Sequence, residues 1–135
     1  RHDMNFQLEK IKPNFVNRLD KFADKKKSMN VEEMEKIYFD TNFAPCPAGF
    51  FHPESYRIYE ALQCGAIPIV ESVYNYFDNI YPNNPLIKIK KWIEAKEIVD
   101  NWSHDKILYK RKECFNWWNK YLSDHKNFVQ KKIYE

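Results

Sequence analysis

The run from Phe43 to Val70, FAPCPAGFFHPESYRIYEALQCGAIPIV, constrains the fold more than any other part of the chain. An apolar, strand-like segment ends near Cys46, and Pro45, Pro47, Gly49 and Pro53 punctuate a loop that feeds a helix opening near Ser55. From Ser55 to Cys64 there is neither Gly nor Pro, and Ile58, Ala61 and Leu62 recur at helical spacing, which gives one apolar face to pack on a sheet. Gly65 then stops the helix. Ala66 to Val70 is short, wholly apolar and rich in β-branched residues, as strands inside a parallel sheet covered on both faces are. The unit reads as strand, turn, helix, parallel strand. The chain has 2 glycines, Gly49 and Gly65, and both fall at turns of this unit, where backbone freedom matters most.

A strand that ends in a tight turn and feeds a helix leaves backbone N–H groups pointing outward with the positive end of the helix dipole behind them. Such a turn suits an anion such as a phosphate. Ser55 is placed to cap the helix, and Arg57 adds positive charge. Arg57 and Glu60 stand at i and i+3, so a phosphate at the turn would have Arg57 beside it and Glu60 a turn deeper, where a carboxylate can accept from a ribose diol. The plainer alternative is an intrahelical ion pair worth a few tenths of a kcal/mol. Charge distribution weighs between the two. Residues 38 to 85 hold one cation, Arg57, against five acids, whereas residues 86 to 135 hold twelve cations against seven acids. An unmatched guanidinium in an acidic and apolar segment is more simply explained by an anionic ligand than by solubility.

These residues carry a resemblance. Pro47, Gly49, Ser55, Arg57, Glu60, Ala61, Gly65, Ile67 and Pro68 stand in the order and spacing of the nucleotide-sugar motif of exostosin-like GT-B glycosyltransferases. The run YRIYEALQCGAIPIVE, and PLIKIKKW at 85 to 92, are similar to the ribitol xylosyltransferase branch of that family. The resemblance covers roughly residues 31 to 103. It implies a donor-binding domain that moves a sugar from a nucleoside diphosphate to the hydroxyl of a glycan or other acceptor, with inversion. Glu60 would take the ribose hydroxyls, Arg57 and Ser55 the diphosphate, and the backbone around Ala48 and Gly49 would line the sugar end of the donor. Many retaining GT-B enzymes carry a second Glu eight residues before the first, where His52 stands here. The base that activates the acceptor would come from an N-terminal half or a partner chain, so no catalytic residue is assigned.

Alternating helices and short strands at 42 to 46, 66 to 70 and 86 to 89 predict an α/β fold, a Rossmann-like parallel sheet flanked by helices, forming one half of a GT-B arrangement. One domain over 1–135 is expected, with helical flanks at 1–37 and 103–135 around a core at 38–102. Loops at the carboxyl ends of parallel strands line the ligand crevice, which makes Glu71 a further candidate beside His52. No Asp-x-Asp occurs, so no metal or other cofactor is expected, and Arg57 with the helix dipole would neutralise the diphosphate.

Periodicity predicts a helix from Asn14 to about Lys27, and another capped by Asn30 through Val31, Met34 and Ile37. A helix from Trp92 to Trp102 has Ile93, Ile98 and Trp102 as its inner face. Farther on, Ile107, Leu108, Phe115, Trp118, Tyr121 and Leu122 form an apolar stripe expected to be core, and Ser123 and Asp124 are read as capping a final short helix. A competing reading makes the basic C-terminal helices, with Lys110, Arg111 and Lys112, an interaction or nucleic-acid surface, or treats the domain as a non-catalytic nucleotide-binding module. Core packing weighs against a nucleic-acid partner. Cys46, Cys64 and Cys114 have neither metal-site spacing nor an even count, so buried free thiols are expected. No run of 18 apolar residues exists, so no transmembrane segment is expected. The expected compartment is the cytoplasm, or the Golgi lumen if the chain is part of a larger membrane-anchored protein.

Overall fold

The computed structural model describes residues 2–17, 28–49, 51–72 and 74–134. In chain order its elements are α1 (His2–Leu8), α2 (Val31–Asp40), β1 (Phe43–Cys46), α3 (Tyr56–Gln63), β2 (Ile67–Glu71), α4 (Tyr76–Ile80), β3 (Ile87–Ile89), α5 (Trp92–Asn101) and α6 (His104–Tyr134). The strands form one parallel sheet in the order β1-β2-β3, flanked by the helices, so the fold is α/β and matches a Rossmann-like half domain.

The central strand β2 is buried from Ile67 to Val70, which is why it reads as an unbroken apolar run rather than an alternating one. It tolerates Pro68 for a geometric reason. The Ile67 amide donates to Asn42 on the β1 side and the Ser72 amide to Ile89 on the β3 side, so alternation turns the Pro68 nitrogen towards β3. The ladder to β3 begins only at Ile69, opposite Ile87. The missing N–H therefore costs no strand bond.

Ile58, Ala61 and Leu62 of α3 are buried, as their spacing predicts, and join Ile67, Ile69, Val70, Phe77, Ile89 and Trp92 in the core. The end of α3 is closed by paired bonds, from the Gly65 amide to the Leu62 carbonyl (3.2 Å) and from the Ala66 amide to the Ala61 carbonyl (2.9 Å). That closure puts Gly65 in the left-handed region at φ 71°, which favours glycine.

Asn30 caps α2 as expected. Its side chain accepts from the Glu33 amide at 2.8 Å, and the Glu33 carboxylate accepts from the Asn30 amide at 3.1 Å. The helix expected from Asn14 does not begin there. Residues 14–17 are irregular, because the Asn14 side-chain amide donates to the carbonyls of Glu9 and Ile11 and holds a turn instead. Residues 18–27 lie outside the described residues.

Two faces differ from their expected assignment. In α5 the residues buried are Trp92 and Ala95, while Ile93 is exposed and Ile98 and Trp102 are half-buried against the core. In α6 the inner face is Ile107, Cys114 and Trp118, flanked by half-buried Trp117 and Tyr121, while Leu108, Phe115 and Leu122 face solvent. Nor do Ser123 and Asp124 start a new helix. α6 runs unbroken for 31 residues, and Asp124 pairs with Lys120 one turn earlier at 2.5 Å. With neither Gly nor Pro nearby to end the first helix, a polar pair is absorbed into its exposed face.

Arg111 fastens α6 to the amino edge of the sheet. Its Nε donates to the Gly65 carbonyl (2.8 Å), Nη1 to Asn42 Oδ1 (3.1 Å) and Nη2 to the Phe39 carbonyl (3.0 Å). The Phe39 carbonyl is one of the last of α2, which no helical amide can reach. Lys110 pairs with Glu113 at 2.9 Å. All three cysteines are free and buried.

Candidate functional site

The carboxyl ends of the three strands share one edge of the sheet, and the loop from Pro47 to Ser55 connects β1 to α3 along it. Within the loop Pro47 is buried, Ala48 is exposed and Gly49 is half-buried. A Cβ on Gly49 would stand 2.8 Å from the Glu54 carbonyl oxygen and 3.1 Å from that of His52. The loop thus folds back on itself more closely than any side-chain-bearing residue permits at position 49.

Ser55 is the residue before α3, in extended conformation (φ −140°, ψ 154°), but its hydroxyl does not cap the helix. Its Oγ is buried and has no hydrogen-bond partner among the described residues, while its carbonyl accepts from the Ile58 amide at 3.1 Å. The N-terminus of α3 consequently carries no side-chain cap.

Arg57 is exposed in the first turn of α3, and Glu60 is half-buried one turn on. The intrahelical ion pair does not form. Glu60 instead accepts from the Tyr38 hydroxyl at 3.2 Å, and Arg57 has no ion-pair partner among the described residues. Both charges act on the end of β1. Burial pushes the Cys46 thiol well above its usual range, with Arg57 pulling it down and Glu60 pushing it up. Burial, then the neighbouring Glu60 carboxylate, likewise raises the Tyr38 phenol. Ala48 and Gly49 lie on the loop after β1, Ser55 stands just before α3, Arg57 in its first turn and Glu60 one turn on. His52 is exposed on the same loop, near enough for its charge to act on Glu54. Glu71 ends β2 opposite Ile89, and no described contact joins it to Arg57 or Glu60. Among the described residues, no cluster of three or more His, Cys, Asp or Glu is arranged to hold a metal ion. No described helix is long and apolar enough to cross a membrane.

One constellation at this edge has no counterpart in the sequence reading. The Glu54 carboxylate accepts from the hydroxyls of Tyr59 (2.5 Å), Tyr76 (3.0 Å) and Tyr81. The Tyr59 and Tyr81 oxygens also lie within hydrogen-bond distance of each other, and because each phenol has a single proton, one hydroxyl divides its proton between Glu54 and the other tyrosine. Burial by itself would raise the Glu54 carboxyl, but the phenol hydrogen bonds outweigh it and hold the group below its ordinary value. Burial, then the bond to Glu54, pushes the Tyr59 phenol up to about 12. The tyrosine rings lean on α6, with Tyr81 edge-on to Trp117 and Tyr121 and Tyr59 tilted against Trp118. Tyr76 and Tyr81 lie 22 and 27 residues from Glu54, so no local pattern announces the cluster.

The family model of the RXYLT1 C-terminal domain matches residues 5–134. No curated protein and no solved structure matches the chain.

Proposed function

The chain belongs to the RXYLT1 C-terminal domain family, a glycosyltransferase-related family, and from that premise we propose that it is the donor-binding domain of an inverting glycosyltransferase. The observation that carries the reading is the start of α3. An exposed guanidinium stands there without an ion-pair partner among the described residues, beside a helix N-terminus without a side-chain cap, at the carboxyl edge of a parallel sheet. This combination suits a diphosphate, because backbone amides, helix dipole and Arg57 all supply positive charge at the start of α3.

In this reading Arg57 and the buried Ser55 hydroxyl take the diphosphate. Glu60, steadied by Tyr38, accepts from the ribose hydroxyls, and the Ala48–Gly49 backbone borders the transferred sugar. His52 and Glu71 remain candidates for contact with the donor. As the acceptor oxygen attacks the anomeric carbon, negative charge grows on the departing diphosphate, and the turn stabilises it without rearranging. The group that takes the acceptor proton would come from a further domain or a partner chain. No metal is needed in this scheme.

The competing reading, a basic interaction surface on α6, draws less support. Arg111 is engaged with three acceptors at the sheet edge, and Lys110 is paired with Glu113.

Calorimetry of the chain with UDP, GDP and their sugar conjugates, a xylosyl nucleotide among them, tests the proposal. Saturable binding that falls at least about tenfold in Arg57→Ala and in Glu60→Ala, with unfolding unchanged, is expected. An affinity untouched by Arg57→Ala would remove Arg57 from the diphosphate. Absence of binding by the folded wild-type chain would count against a self-sufficient donor site.

A further inference from the structure

We infer that Glu54 is the positioning residue of the β1–α3 turn. Its carboxylate, gathered by the hydroxyls of Tyr59, Tyr76 and Tyr81, holds the entry of the chain into α3 in the shape that leaves the Tyr56 and Arg57 amides open to an anion. The inference rests on the donor-site reading for the ligand, but its geometry stands apart from it.

Helix N-termini are ordinarily held by a side-chain cap, which fixes the entering chain and at the same time occupies its amides. In α3 these two roles are separated. Ser55, at the capping position, makes no side-chain cap bond. The adjacent residue, Glu54, is instead tied to α3 through Tyr59, to α4 through Tyr76 and to the segment after α4 through Tyr81. The chain enters the helix in a fixed direction while the Tyr56 and Arg57 amides stay without a side-chain cap and the Ile58 amide is held by the Ser55 carbonyl.

The anchors are themselves held. Tyr81 is buried, and its ring meets Trp117 with centroids 6.2 Å apart and Tyr121 at 5.7 Å. Tyr59 lies 5.9 Å from Trp118, one of the buried residues of α6. Rotamers locked by packing are what a positioning group requires. The other side of the tether is equally close, because the Glu54 carbonyl is the atom that a Cβ at Gly49 would strike. One residue therefore sets the path of the loop from both its side chain and its backbone.

A carboxylate next to an anion site is electrostatically unfavourable, and this makes the inference testable. If Glu54 acted only through charge, neutralising it would tighten anion binding. If it positions the turn, neutralising it weakens binding, because an amide oxygen accepts the phenol bonds less strongly than a carboxylate.

Glu54→Gln and Tyr76→Phe in the full chain, compared with wild type, separate these outcomes through two measurements. Amide hydrogen exchange without nucleotide is expected to accelerate about tenfold in the turn at Ile58, whose amide donates to the Ser55 carbonyl, in Glu54→Gln, with β2 and α5 unchanged, and less in Tyr76→Phe. UDP affinity by calorimetry is expected to fall about tenfold in Glu54→Gln and by a smaller factor in Tyr76→Phe. Exchange in the turn that stays at the wild-type rate would overturn the inference. So would acceleration spread evenly over the domain, or tighter UDP binding by Glu54→Gln. Should Glu54→Gln not fold, Tyr76→Phe, which keeps two of the three hydroxyls, decides by the same readings. If wild type binds neither UDP nor GDP nor their sugar conjugates, the self-sufficient donor site fails, and the exchange measurement alone decides whether Glu54 holds the turn.

Discussion

The carbonyl oxygen of Glu54 lies where it would stand 2.8 Å from a Cβ carried by Gly49. Gly49 is thus required for close approach, whereas Gly65 is required for its positive φ, since a Cβ there meets nothing within 4 Å. The two glycines should respond differently to substitution. Gly49→Ala is expected to destabilise by about 1–3 kcal/mol through overpacking, and Gly49→Asn by at least as much. Gly65→Ala should cost about 1–2 kcal/mol through left-handed strain, and Gly65→Asn distinctly less, because Asn tolerates that region. Urea denaturation of the four variants checks the pattern, and equal costs for Ala and Asn at position 65 would contradict it.

Arg111→Ala removes donors from two backbone carbonyls and one side-chain oxygen at the amino edge of the sheet. A loss of about 1.5–3 kcal/mol is expected, as for hydrogen bonds from a charged group. Arg111→Lys should recover only a fraction, since one ammonium cannot reproduce the planar fork. Thermal unfolding of both variants measures the difference, and full recovery by Lys would show that charge alone matters.

The Glu54 cluster should limit stability at both ends of the pH scale. Glu54 is depressed below its ordinary 4.5 in the folded chain, so its contribution is present above that value and is lost as pH falls through the folded pKa. Tyr59 is raised from 10.0 to about 12, so its contribution is present below pH 10 and lost as pH rises towards 12. His52 adds to the depression of Glu54 while protonated. Denaturation midpoints against pH should therefore fall at both extremes, and Glu54→Gln should flatten the acid limb. An acid limb unchanged in Glu54→Gln would refute this assignment.

The two faces of α6 make a further contrast. Trp118 is buried, and Trp118→Ala should cost about 3–5 kcal/mol. Phe115 is 50% exposed, and Phe115→Ser should stay within about 0.5 kcal/mol of wild type. Chemical denaturation of the pair tests which face packs.

Much of the unit that holds the candidate site is legible without coordinates, because its signals are local. The spacing of Ile58, Ala61 and Leu62, the glycine at 65 and the apolar run to Val70 define a helix and a buried parallel strand within a few residues of one another. Asn30 and Glu33 lie one turn apart, so their reciprocal cap is legible too. Elsewhere the apolar pattern offers more hydrophobic residues than one face can bury. In α6 the choice of Trp118 over Phe115 follows from how the helix rotates against α3 and β2, which no repeat in its own sequence specifies.

The short-range chemistry of residues 43 to 70 determines a strand, a turn, a helix and a parallel strand, and the order of their residues is enough to identify the family resemblance. Packing determines what those residues then do. It pairs Glu60 with Tyr38 rather than Arg57, leaves Ser55 off the helix cap, and gathers three tyrosines on Glu54 from as far as 27 residues away. The physical reason is that a periodic pattern selects which side chains avoid water, whereas a hydrogen bond between distant residues exists only after the whole core has brought their elements into contact.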